Sequence, residues 1–192
     1  ANVTQKNFFG SGKHVRFGFN NSRVNTVYSF GYTNPFATVD GISQGFNLFY
    51  RETDAFEANI ANYTTDVFGG DINFGIPISE NNRINLAFGY ENTQLDVPSN
   101  NEITRYDDFI EKEGDSFHAF PVTIGWSSDT RNNAILPTRG MSQSVSAEVA
   151  TPIGDLQYYK LRYRNNWYTP LNDTFTFALR TDLGYGKAYG DS

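Results

Sequence analysis

Hydrophobicity along this chain alternates with a period of two, and the rhythm recurs from one end to the other. In residues 174–186, Phe175, Phe177, Leu179, Leu183 and Tyr185 hold one set of alternate positions. Thr174, Thr176, Ala178, Arg180, Asp182 and Gly184 hold the other, and Thr181 is the one polar residue in the apolar set. Successive side chains of a strand point to opposite faces, so the segment reads as a strand with one apolar and one polar face. Residues 84–97 set Ile84, Leu86, Phe88 and Tyr90 against Asn85, Ala87, Gly89 and Glu91. Residues 118–126 set Phe120, Val122, Ile124 and Trp126 against Ala119, Pro121, Thr123 and Gly125. Residues 157–168 set Tyr159, Leu161 and Tyr163 against Lys160, Arg162 and Arg164. Weaker copies lie at 14–20, 24–33, 42–51, 66–78 and 141–151. With the opening segment, the pattern predicts about ten strands.

Segments rich in Gly, Pro, Asn and Asp separate them, at 9–13, 20–23, 34–41, 79–82, 131–140, 151–155 and 169–173. Those residues supply the backbone conformations of tight reversals, so consecutive strands pair antiparallel. Two connections, 53–62 and 98–115, are longer and polar, and both leave the same side of the sheet. No segment has a convincing helical period. No run approaches the ~18 apolar residues of a membrane-spanning helix. That test does not see β-barrels, whose alternation averages out.

Composition sharpens the reading. Aromatic residues number 17 Phe, 12 Tyr and 2 Trp in 192, a load foreign to disordered chains. A net charge of −6 argues against a nucleic-acid partner. The chain has no cysteine, which excludes disulfides, thiolate metal sites and a cysteine nucleophile.

The polar face separates a soluble sandwich from a barrel. A sandwich exposes that face to water and carries many Lys and Glu there. Here Gly, Ser, Thr, Asn and Ala dominate, which suits a barrel interior. Tyr32, Tyr50, Tyr90, Trp126, Trp167 and Tyr185 sit near strand ends on the apolar face, as in the aromatic girdles of membrane barrels. The fold expected is therefore all-β, an antiparallel transmembrane β-barrel. Phe120, Val122, Ile124, Trp126, Tyr159, Leu161, Tyr163, Phe175, Phe177 and Leu179 are expected to face lipid. Thr123, Lys160, Arg162, Arg164, Arg180 and Asp182 are expected to face the lumen.

Three stretches are more specific. QKNFFGSGK (5–13), with Phe8, Gly10 and Gly12, resembles the first hairpin of the surface-antigen barrels of bacterial outer membranes. FGYTNPFATVDGISQG (30–45), with Asp40 and Gly41, resembles a second hairpin of that family. WSSDTRNNAILPTRG (126–140) resembles its D-x-R…P-x-x-G signature through Asp129, Arg131, Pro137 and Gly140. The order of motifs resembles the family's assembly-factor branch more closely than its translocation branch. The resemblance implies an up-and-down barrel of sixteen strands, of which 1–192 corresponds to strands two to eleven. It implies that the POTRA domains, the lateral-gate strands and the R-G-F loop lie outside these residues. The implied function is folding and insertion of β-barrel proteins into the bacterial outer membrane, without enzyme activity, cofactor or metal. The implied partners are membrane lipid and lipopolysaccharide, the remaining strands of the barrel, accessory lipoproteins and unfolded outer-membrane protein substrates. A passive pore or transporter barrel is the alternative.

Other chemistry is weakly supported. His14 and His118 are the only histidines, too few for a convincing zinc site. Ser116 and Asp115 lie near His118, but residues two apart on a strand share a face without forming a triad. GSGK (10–13) lacks the spacing and the helix of a phosphate loop. The carboxylates Glu102, Asp107, Asp108, Glu111, Glu113 and Asp115 could bridge lipopolysaccharide through a divalent ion, although a solvated loop explains them more simply. Asp129 is expected to accept turn amides and pair with Arg131 or Arg139. Ten strands of a larger barrel leave two edges, at 1–8 and 174–190. These edges should pair with further strands on another chain, with a second copy, or with each other in a smaller barrel. The first outcome is preferred.

Overall fold

Alternation becomes pairing in one continuous antiparallel sheet. The computed structural model describes residues 1–54, 63–96 and 114–189. Its strands are β1 (Asn2–Gln5), β2 (His14–Asn21), β3 (Asn25–Asn34), β4 (Ser43–Asp54), β5 (Thr64–Pro77) and β6 (Asn82–Asp96). They continue as β7 (Ser116–Ala119), β8 (Pro121–Asp129), β9 (Gly140–Ala150), β10 (Tyr158–Pro170) and β11 (Thr176–Ala188). The order in the sheet is the order in the sequence, with β7 and β8 both on β6. These two act as one strand in one register, from Glu91 opposite Ala119 to Phe88 opposite Val122. Pro121 has no N–H to give the ladder, which accounts for the interruption at Phe120. Ten strand positions result, as the periodicity predicts.

Register gathers the apolar residues onto one face. Directly opposed residues include Phe17 and Phe30, Phe30 and Leu48, Ile72 and Phe88, Leu86 and Ile124, Ile124 and Ala147, Leu161 and Tyr185. Opposed residues in an antiparallel pair share a face, so a one-residue slip anywhere would break the surface. Aromatic neighbours tie the strands laterally. Phe17 and Phe30 lie 4.9 Å apart between centroids, and Tyr32 stacks on Phe46 at 5.4 Å.

The other face is the inside of the curve. Ser43, Val67, Ala119 and Ala150 are buried there, while the large apolar residues opposite stay exposed. Small residues are required on that side. A Cβ on Gly45 would lie 2.8 Å from Asn73 Oδ1, and one on Gly69 would lie 2.7 Å from the Phe49 ring. Phe49 is one of the aromatic side chains on this face, with Phe117, Tyr158 and Tyr168, and Gly69 makes its room.

β1 pairs with β2, and β11 with β10, but β1 and β11 do not pair with each other. Closure into a small barrel, one of the three expected outcomes, is therefore not the arrangement found. Barrel diameter rises with strand number, so ten strands that keep the curvature of a larger barrel do not meet.

Candidate functional site

The connections alternate between two rims. Segments 6–13, 35–42, 78–81, 130–139 and 171–175 lie at one rim. Segments 22–24 and 151–157 lie at the other, where β4 also ends at Asp54 and β6 at Asp96. All three motif stretches of the sequence converge on the first, hereafter the motif rim. Tyr32, Trp126 and Trp167 stand toward this rim, and Tyr50, Tyr90 and Tyr185 toward the opposite one. Two aromatic rows thus bracket the apolar face, as expected of interfacial girdles.

The turn at 130–139 is the best-built element of the motif rim. Asp129 Oδ1 accepts from the Arg131 backbone N at 3.1 Å and from Nε at 2.9 Å, and Oδ2 accepts from Nη2 at 2.6 Å. Arg131, not Arg139, is the partner. This pair lies beyond the Trp126 girdle. The guanidinium holds the Asp129 carboxyl below the usual carboxylate range, and the carboxylate raises Arg131 in return. Gly140 has φ +98°, and a Cβ there would meet the Thr130 carbonyl oxygen at 2.3 Å, so glycine alone fits. Asn132 and Asn133 complete the turn. Asn132 Oδ1 accepts from Thr138 N and Arg139 N, and Asn133 Oδ1 from Ile135 N and Leu136 N. Sequence reasoning passed over both asparagines, though Asn is a residue that caps its own turn.

The hairpin at 6–13 carries a short 3-10 turn, Phe8–Gly10. Asn7, Phe9, Gly10 and Gly12 all have positive φ, and Asn7 Oδ1 accepts from Gly12 N at 2.6 Å. Phe9 has no glycine freedom, and this left-handed conformation costs it roughly 1–2 kcal/mol. In the 35–42 turn Gly41 has φ +78°, its N–H donates to Thr38 O, and Asp40 is exposed. Each motif-rim turn also carries an exposed apolar side chain: Phe9, Phe36, Ile78, Leu136 and Leu171 are examples.

On the concave face the expected charged row is present and largely paired. Lys160 meets Glu148 at 3.1 Å and Arg162 meets Asp182 at 2.6 Å. Arg164 is opposite Asp182 in register, yet Asp182 pairs diagonally with Arg162. Thr123 lies on this face between Ala87 and Glu148, and Arg180 is opposite Asn166. The residues expected to face lipid all share the convex apolar face, Phe120 and Phe175 continuing its alternation just outside β8 and β11. One polar row crosses that face through Asn82, Ser128, Gln143, Asn165 and Thr181. It starts at the motif rim on β6 and reaches the middle of the apolar band on β11, so the strands are tilted. The Asn165 Oδ1 is buried without a hydrogen bond.

His118 forms no triad. Its Nδ1 lies 2.9 Å from Tyr90 Oη and 3.1 Å from Asn92 Nδ2, while the Asp155 carboxylate accepts from the His118 backbone N. The acidic cluster from Glu102 to Glu113 lies outside the described residues.

A family profile described as the Omp85 superfamily domain matches residues 7–192. The outer membrane protein assembly factor BamA of Neisseria meningitidis serogroup B is 34% identical over 201 residues, across 99% of the chain. A crystal structure of BamA from Haemophilus ducreyi lacking POTRA domains 1–3 superposes with TM-score 0.77 at 28% identity, covering 98% of the chain. The chain spans 25% of the Neisseria protein and 38% of the Haemophilus chain.

Proposed function

The chain belongs to the Omp85 superfamily, and from that premise we propose that it forms ten neighbouring wall strands of a machine that folds and inserts β-barrel proteins. Its seat is the outer membrane of Gram-negative bacteria. The convex apolar face meets lipid, and the concave face, lined with small and charged residues, meets the water-filled lumen. The motif rim is the periplasmic one, since outer-membrane barrels keep short turns inside and long loops outside.

The end-to-end likeness to an assembly factor carries the reading. The sheet edges at β1 and β11 are where the remaining strands of the barrel would pair. Work of this kind needs no nucleotide and no metal, and the proposed machine is not an enzyme. Its partners are lipid and lipopolysaccharide, the remaining strands of the barrel, accessory lipoproteins at the motif rim and unfolded barrel substrates. The exposed apolar turn tips of that rim suit a protein contact.

The test is depletion of the protein in its host, with porin levels in the outer membrane as readout. Loss of assembled porins, with rescue by the wild-type gene, supports the proposal. Unchanged porin assembly combined with loss of solute conductance would replace it with a passive pore.

A further inference from the structure

Among the described strands, Gly70 is the only glycine on the apolar face. It floors a groove of about 750 Å³, walled by Tyr32, Phe46, Leu48, Ile72, Phe88 and Tyr90. The strands on both sides of this groove are in place, so its shape does not depend on either sheet edge. The Leu48 side chain leans across the bare backbone, and a Cβ on Gly70 would stand 2.7 Å from Leu48 Cδ2 and 2.8 Å from Asn47 O. No other residue preserves the groove.

The polar groups lie at its motif-rim end. Asn34 and Gln44 face each other in register there, and both line the groove. Lys13 holds its ammonium 6.0 Å from the centroid of the Tyr32 ring. A ligand that fits this layout is linear and apolar for most of its length, with an anionic head. The groove runs from the level of Phe74, opposite Gln44, to that of Phe68. Six residues at about 3.3 Å each make about 20 Å along the strand. At a tilt of about 40° this is about 15 Å of depth, the height of the apolar band between the Tyr32 and Tyr90 rows and within the length of one acyl chain.

We infer that the Gly70 groove seats an acyl chain of a phospholipid from the motif-rim leaflet, with its phosphate held by Lys13 and the Asn34–Gln44 pair. The inference rests on the membrane reading proposed above and adds a specific lipid site to it. Phospholipid rather than lipopolysaccharide is the occupant because the anchors stand at the rim away from the long connections.

The test uses the protein extracted from its outer membrane in mild detergent and equilibrated with vesicles of phosphatidylethanolamine and phosphatidylglycerol. Native mass spectrometry then counts retained lipid. The wild type should hold a phospholipid through detergent exchange. Ile72→Trp, which fills the groove without touching Gly70, and Lys13→Glu, which repels the phosphate, should each lower retention about tenfold, as expected when roughly two methylenes or one anchor are lost. Val145→Trp, on the same face but far from the groove, should retain lipid like the wild type. Equal retention by all four proteins would overturn the site, and so would retention of lipopolysaccharide alone. Failure of the membrane reading has its own signature: spin labels at Ile124 and Thr123 would then show equal access to lipid-soluble relaxants.

Discussion

Arginine at position 124 measures how far the apolar face is from water. Phe120 and Trp126 mark the two edges of the apolar band on this strand, six residues apart. That spacing is about 20 Å along the strand and about 15 Å in height at a tilt of about 40°. Ile124 lies one residue from the midpoint, within about 3 Å of the band centre. It is 56% exposed, so a replacement side chain would meet lipid rather than protein. Its register neighbours are Leu86 and Ala147, neither of which can answer a charge. Ile124→Arg should therefore cost the full midplane penalty, about 2–4 kcal/mol, a shift of roughly 30- to 800-fold in the folding equilibrium. Thr123→Arg is the control. That residue projects to the concave face opposite Glu148, and the substitution should cost under about 1 kcal/mol. The assay is urea unfolding of the barrel in phospholipid vesicles, followed by tryptophan fluorescence. Equal costs at the two positions would refute the assignment of faces, and with it every lipid and lumen assignment on β8.

Gly140→Ala should destabilise the rim turn by about 1–3 kcal/mol, read by the same unfolding assay, because its Cβ would enter the Thr130 carbonyl at a positive φ. Asp129 has its folded carboxyl lowered by Arg131, so the stability the pair adds is whole above about pH 4 and is lost as pH falls through the lowered value. Asp129→Asn should remove that part of the acid dependence, measured as stability against pH. The Arg162–Asp182 pair is open to solvent, so a double-mutant cycle with Arg162→Met and Asp182→Asn should give no more coupling than an ordinary surface ion pair. Asn165→Val should stabilise the barrel in vesicles by about 1 kcal/mol, since it removes a buried unpaired amide oxygen from the apolar face.

The period of two was enough to place each strand and to divide its residues between two faces. Strand geometry permits only that division, so Ile124 and Thr123 had to part company wherever the sheet lay. Antiparallel order followed from the turn residues for the same local reason. The rim turn was legible in outline through Asp129, Arg131, Pro137 and Gly140, because the conformations that these residues favour are local properties. Pairing across strands was not legible. Asp182 bonds Arg162 rather than the directly opposite Arg164, and that choice depends on side-chain reach over the twisted sheet. The groove above Gly70 has the same origin. A glycine in the apolar set of one strand reads as a weak position, and becomes a cleft only when register brings Leu48 and Tyr90 to its sides. Which of the three expected outcomes the edges at β1 and β11 take likewise depends on how the strands curve. Periodicity carries no information about which way a sheet bends or whether it closes.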